Sequence, residues 1–248
     1  MKTKTLVLLA CMALITANES INISGKVQYE GRSPKPSPVS MTTDAICGRA
    51  HEGGAVSDNF LINDDKYMQN VVVWINNPNH SAAVPENSVV LDQVGCMYSP
   101  RVNAITAGQN LMIKNSDKTL HNVHSMSELN SVFNVSMPPN SDPQIKTFTN
   151  SEDPFYIKCD VHPWMETWMV VLDHPYWAVT DKDGNYSINT DNLEPGTYDL
   201  CFWAEKWNRI MDGEEGTGYC SDEYKTTITI SDQSVEAGTK VFKQPKRR

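Results

Sequence analysis

Apolar and polar residues alternate with a period of two in several short stretches of this chain, the mark of half-buried strands. Ile21, Ile23 and Val27 flank Gly25 in a strand-like run that ends at Glu30-Gly31. Val71 to Ile75 is instead continuous and β-branched, which predicts a strand buried on both faces. Residues 89–112 read as strands around a turn at Gly108. Phe155, Ile157 and Cys159 alternate with Tyr156 and Lys158, so Cys159 falls at the inward-facing end of a strand. Further on, Trp177 and Val179 alternate and Asp183-Gly184 marks a hairpin turn. Tyr186 and Ile188 form the returning strand, Tyr198 to Phe202 a third and Thr226 to Ile230 a fourth. Between these runs, Pro34, Pro36 and Pro38 predict an extended surface segment, and Asn76 to Pro85 a turn-rich connector. Residues 126–153 read mostly as loop, with Met137-Pro138-Pro139 as a rigid corner, and Lys240 to Arg248 as a frayed basic tail. The predicted fold class is all-β.

Composition changes this picture in three ways. The 248 residues suffice for one large or two small domains, and 40% hydrophobic with 21% charged residues is ordinary for a soluble protein. A formal net charge of −9 argues against nucleic acid as a partner and favours an acidic protein that docks a basic one. Lys2 and Lys4 precede an apolar run from Leu6 to Ile15 that is too short to span a bilayer. This pattern predicts a secretory signal over residues 1–17, cleaved after Ala17. The alternative is a lipoprotein signal at Cys11, for which Leu9 fits poorly.

Removal of Cys11 with the signal leaves Cys47, Cys96, Cys159, Cys201 and Cys220. An odd number of cysteines in an exported chain gives one thiol another task. If Cys159 holds a metal, the remaining four allow three pairings, and order along the chain favours Cys47–Cys96 and Cys201–Cys220.

Cys159, His162 and Met165 stand close together in Cys159-Asp160-Val161-His162-Pro163-Trp164-Met165. Thiolate and thioether select copper, and imidazole suits it. A further ligand is available in Leu120-His121-Asn122-Val123-His124, where the strand alternation lets only one of the two histidines face a metal. Zinc competes for Cys and His, but a structural zinc site rarely recruits methionine. These two motifs, in this order and each after a strand, resemble the cupredoxins, the small blue-copper proteins, with a ligand loop most like that of amicyanin. The resemblance implies a type 1 copper site of His121, Cys159, His162 and axial Met165, with Met169 as the rival axial ligand. It implies Asn122 as the residue tying the two ligand segments together. It also makes His162 an exposed electron port, with Pro163, Trp164 and Trp168 as an apolar rim for a redox partner.

Ala178 to Tyr186, with Leu193-Glu194-Pro195-Gly196-Thr197-Tyr198, resembles the carboxypeptidase regulatory-like (transthyretin-like) sandwich. The expected architecture is a Greek-key cupredoxin sandwich over 87–175, inserted into a second, smaller sandwich made of 20–86 and 176–235. A basic tail over 236–248 completes it. The alternative is one large cupredoxin followed by a small tail domain. Asp181-Lys182-Asp183-Gly184 lacks the spacing of a calcium loop and reads as the hairpin turn. The six histidines leave no His-x-His pair for a second copper cluster, so a secreted or periplasmic electron carrier is expected rather than an enzyme.

Overall fold

The computed structural model describes residues 20–207 and 219–244, so the expected signal over 1–17 and the last four residues of the basic tail lie outside the described residues. The fold is all-β. The chain opens with β1 (Asn22–Glu30), β2 (Pro38–Val39), a short helix α1 (Ala45–Ala50), β3 (Ala55–Val56) and β4 (Val72–Ile75). There follow β5 (Val89–Val94), β6 (Met97–Ser99), β7 (Val102–Thr106), β8 (Asn110–Asn115), β9 (His121–Ser125), β10 (Asn134–Met137), β11 (Gln144–Thr147), β12 (Glu152–Lys158) and β13 (Glu166–Leu172). The last five strands are β14 (Trp177–Val179), β15 (Asn185–Asn189), β16 (Gly196–Trp203), β17 (Lys225–Ile230) and β18 (Val235–Lys243).

Two pairs of sheets result. Strands in the order β10-β9-β12-β13-β7 face strands in the order β11-β8-β5-β6. Between them lies a core of Leu91, Ile105, Leu111, Ile113, Val123, Phe148, Phe155 and Ile157. The other pair, β15-β1-β18 and β14-β4-β16-β17, encloses Ile23, Val27, Val73, Ile75, Ile188, Leu200, Phe202 and Phe242. β4 and β14 pair with each other, although β5 to β13 lie between them in the chain.

The continuous apolar run at 71–75 has a direct cause. Val73 and Ile75 enter the core between β1 and β16, while Val72 and Trp74 point the other way. There they meet Val102, Ala104, Trp168, Val170 and Trp203. The outer face of one sheet is thus packed on the neighbouring sheet pair, and a strand buried on both sides cannot alternate with polar residues. Arg101 crosses the same junction. It donates to Glu205 from Nε at 3.1 Å and from Nη2 at 2.8 Å, and to the Glu166 carbonyl at 2.7 Å.

Three stretches differ from expectation. Residues 126–153 contain β10 and β11, which pair with β9 and β8 at sheet edges. β10 is only four residues long, and in β11 the less exposed positions are Gln144 and Lys146 while Ile145 faces solvent, so no buried apolar alternation marks them. Residues 236–243 belong to β18 rather than to a frayed tail. β18 runs parallel to β1, from Ile23 opposite Val235 to Glu30 opposite Lys243. A register shift between Ser24 and Lys26 breaks the period of two there, which hides the strand in the sequence. The helix α1 had no counterpart in the sequence reading. It begins because the Asp44 carboxylate accepts from the backbone of Ile46 at 2.7 Å and Cys47 at 3.0 Å. At 181–184 the expected hairpin turn is present. Gly184 adopts φ +70°, and a Cβ there would come within 2.6 Å of the Val27 carbonyl.

Candidate metal centre

β9 and β12 run antiparallel, with Lys158 opposite His124. The end of β12 therefore lies beside β9, and the 159–165 loop turns back over His121. The loop is closed by its own backbone: Met165 N donates to His162 O at 2.9 Å and Cys159 N to Met165 O at 3.1 Å. His121 and Cys159 are buried, and so is His162, which is only 2% exposed.

The donor atoms of His121, Cys159 and His162 all lie within 4.8 Å of one another. The two Nδ1 atoms are 2.8 Å apart, and Cys159 Sγ is 3.9 Å from His162 Nδ1. Each imidazole is backed by a carboxylate, since His121 Nε2 lies 2.9 Å from Asp117 Oδ2 and His162 Nε2 3.3 Å from Asp44 Oδ2. Ionised carboxylates only accept, so both Nε2 atoms carry a proton; His121, charged in the metal-free chain, carries a second one on Nδ1, and His162 presents the Nδ1 lone pair. At 2.8 Å His121 Nδ1–H donates to His162 Nδ1, and a metal ion would take the place of that proton. This donor set therefore fits a thiophilic metal held by two nitrogens and one sulfur, as copper is.

The electrostatics agree. Burial works against the Cys159 thiolate, but hydrogen bonds from His121 and from the 159–162 loop outweigh it and hold the thiol pKa below its ordinary value. Burial also opposes charge on His121, yet Asp117 and Cys159 together raise its pKa to about 9. Burial dominates at His162 and lowers it, with Asp44 opposing. Asp44 itself is held at about 2, because hydrogen bonds from Cys47, Thr119, Ile46 and His162 override its desolvation.

Met165 is fully buried in the same apolar cluster as Cys159, and so are its rival Met169 and Met137. Met169 sits within β13 opposite Phe155, while Met137 sits in β10 opposite His121. Asn122 Oδ1 accepts from Asp160 N at 2.8 Å and Val161 N at 3.3 Å, and lies 3.3 Å from Cys159 Sγ. Its Nδ2 donates to Asn134 Oδ1 at 2.7 Å and Asp160 Oδ2 at 3.1 Å. His124 points away from the centre and meets Asp160 Oδ2 at 3.0 Å.

The surroundings of His162 depart from the expected exposed port. Asp44, Cys47 and Trp164 cover the ring, with Cys47 Sγ at 3.9 Å from Nε2 and the Trp164 ring centre at 5.0 Å. Pro163 is exposed and Trp164 half-buried. Trp168 does not belong to this rim. It packs against Trp203 at 5.3 Å, in the junction between the sheet pairs.

The disulfides are Cys47–Cys96 and Cys201–Cys220, and Cys159 is the free cysteine among the described residues. Two further donor groups among the described residues, Asp44-Cys47-His162 and Cys96-Asp117-His121, each contain a disulfide sulfur and so offer no thiolate. Asp44 and Asp117 were not found from sequence, whereas the Cys47–Cys96 bridge beside them is the pairing expected from it. Asp117 had a faint signal, standing four residues before His121; Asp44 had none, being 118 residues from His162.

No protein-family model matches the chain, and no curated protein matches it. Solved structures do. A Cu-containing nitrite reductase from Thermus scotoductus is 19% identical, with a TM-score of 0.33, over 40% of this chain and 26% of its own. A purple cupredoxin from Nitrosopumilus maritimus is 22% identical over 33% of this chain and 97% of its own, with a TM-score of 0.28. A mutant amicyanin in its reduced state is 22% identical over 40% and 97%, with a TM-score of 0.31. The chain spans about a quarter of the nitrite reductase. These likenesses extend over a third to two-fifths of this chain.

Proposed function

We propose that this protein is an exported type 1 copper protein that carries single electrons between redox proteins. One observation carries the reading: the His121 and His162 Nδ1 atoms and the Cys159 sulfur converge in a buried space, with a carboxylate behind each imidazole. Bound copper would supply a one-electron couple. The chain's own residues do the rest. His121 from the start of β9 and Cys159 and His162 from the closed loop would hold the metal, with Met165 from the apolar floor as a fourth donor. Asn122 fixes the distance between the two ligand segments. Burial of all three donors excludes water, so the site is held in one geometry for both redox states.

Residues 87–175 form the copper-binding unit in this reading, inserted in a carboxypeptidase regulatory-like sandwich built from the flanking strands. Two disulfides favour an extracytoplasmic compartment, secreted or periplasmic, and no helix among the described residues is long and apolar enough to cross a membrane. Trp164, half-buried and against the His162 ring, is the point where a redox partner docks, with Pro163 beside it.

The test is a visible spectrum. The copper-loaded protein should show an intense thiolate-to-copper band that is absent from Cys159→Ser, and it should reduce and reoxidise reversibly without consuming a substrate. A colourless protein that binds zinc equally well with or without Cys159 would refute the proposal.

A further inference from the structure

Resting on that reading, we infer that Asp44 is a positioning residue for His162, and that the Cys47–Cys96 disulfide is the strut that keeps it in place. The segment that carries Asp44 is weakly attached to the sheets. β2 and β3 pair with each other in a two-stranded ribbon, and α1 spans only Ala45–Ala50. What brings it over the metal centre is a small apolar cluster of Met41, Cys47, Ala55 and Cys96, with Trp164 against it, built around the disulfide.

The atoms are divided between two tasks. Asp44 Oδ1 accepts from the backbone of Ile46 and Cys47 and so starts α1. Asp44 Oδ2 accepts from Thr119 Oγ1 at 2.9 Å and from His162 Nε2 at 3.3 Å. The second oxygen therefore keeps the His162 proton on Nε2 and turns the Nδ1 lone pair towards His121 and Cys159. On the other side of the disulfide, Cys96 N donates to Asp117 Oδ2 at 2.7 Å, and that same oxygen accepts from His121 Nε2. One covalent bridge thus joins the two carboxylates that orient the two histidines. His51 Nε2, 2.6 Å from the Gly95 carbonyl, adds a further tie between the same segments.

Asp44→Asn tests the assignment with little risk to the fold. Asparagine is as good a helix N-cap as aspartate, so its Oδ1 keeps the bonds to Ile46 and Cys47. Its Nδ2 replaces the one oxygen that faces His162, so an acceptor becomes a donor. In the metal-free full chain, nitrogen-15 NMR should find His162 protonated at Nε2 in the wild type and a mixture of tautomers in Asp44→Asn. In the copper-loaded chain, competition with a chelator should show copper held about 10–100-fold less tightly in Asp44→Asn and in Cys47→Ser/Cys96→Ser, with the Cys159 band retained. Cys201→Ser/Cys220→Ser, which removes the distant disulfide, should hold copper like the wild type. Wild-type affinity together with an unchanged His162 tautomer in Asp44→Asn would overturn the inference. A wild type that takes up no copper would overturn the metal reading instead, and the tautomer measurement would still decide whether Asp44 orients His162.

Discussion

Asn122→Ala would cut the tie between the two ligand segments. The side chain is buried and makes five contacts: Oδ1 with Asp160 N, Val161 N and Cys159 Sγ, and Nδ2 with Asn134 Oδ1 and the Asp160 carboxylate. Two of these are short, at 2.8 and 2.7 Å, and a third reaches an ionised group. At a net ~1 kcal/mol for each good hydrogen bond, their loss destabilises the fold by about 2–4 kcal/mol. The lower end applies if water satisfies the released Asp160 and Val161 N–H groups, because both residues are exposed. Urea unfolding of the metal-free protein reads this directly. Copper affinity should fall as well, by about 10–100-fold, because Cys159 and His162 share the loop that Asn122 holds. Asn134→Ala removes only the Asn134 contacts and should have a smaller effect on both measurements. If Asn122→Ala unfolds at the wild-type midpoint and retains copper like the wild type, the loop is positioned by its own backbone bonds and the argument fails.

Two further perturbations lie away from the metal. His174 is buried beside Asp173, His80 and Tyr176, whose N–H donates to its Nδ1 at 3.2 Å; burial pushes its pKa down to about 4, with His80 adding and Asp173 opposing. The unfolded chain therefore binds the extra proton first, so a contribution of about 3 kcal/mol, complete above pH ~6.5, is lost as pH falls towards 4; His174→Phe should lose less stability than the wild type between pH 7 and pH 4.5, and equal losses would refute the assignment. Arg101→Met leaves Glu205 buried without its bidentate partner and should cost about 3–5 kcal/mol in urea unfolding, whereas Arg101→Met/Glu205→Leu should recover most of that. A double variant no more stable than the single one would show that the pair matters for packing rather than for charge.

The strands and the ligand loop were legible because both are local. Period-two alternation located β1, β12, β15 and β16, and the paired apolar run located β4. Strand alternation allowed only one of His121 and His124 to face a metal, and the resemblance to the cupredoxins chose His121 and joined it to Cys159 and His162. Edge strands β10 and β11 were missed because each is only four residues long and β11 turns Gln144 and Lys146 inward and Ile145 outward. β18 was missed because its register shift and its lysines obscure the apolar alternation that ends in buried Phe242. The exposure of His162 could not be read locally, since what covers it comes from residues 44–47.

In the proposed electron carrier, that cover changes where electrons would pass. An exposed imidazole edge would let a partner approach the metal ligand itself. Here the Nε2 edge of His162 is occupied by Asp44 and the Cys47 sulfur, and the surface above it is closed by the disulfide-linked cluster. The aromatic group that touches the ring and still reaches solvent on this side, as Asp44 also does, is Trp164, whose indole N–H donates to the Cys96 carbonyl at 2.9 Å. This bond fixes the indole against the same turn that holds Asp117, so the outer contact and both histidines are referenced to one rigid point at residues 95–96. Cys96 has φ +56° there and Gly95 φ +64°, a tight turn between β5 and β6 that keeps this point from shifting. The completed site is therefore not contained in the span from 87 to 175. It is assembled from that span and from a segment between β1 and β4, which explains why a chain with a short ligand loop also carries the Cys47–Cys96 bridge.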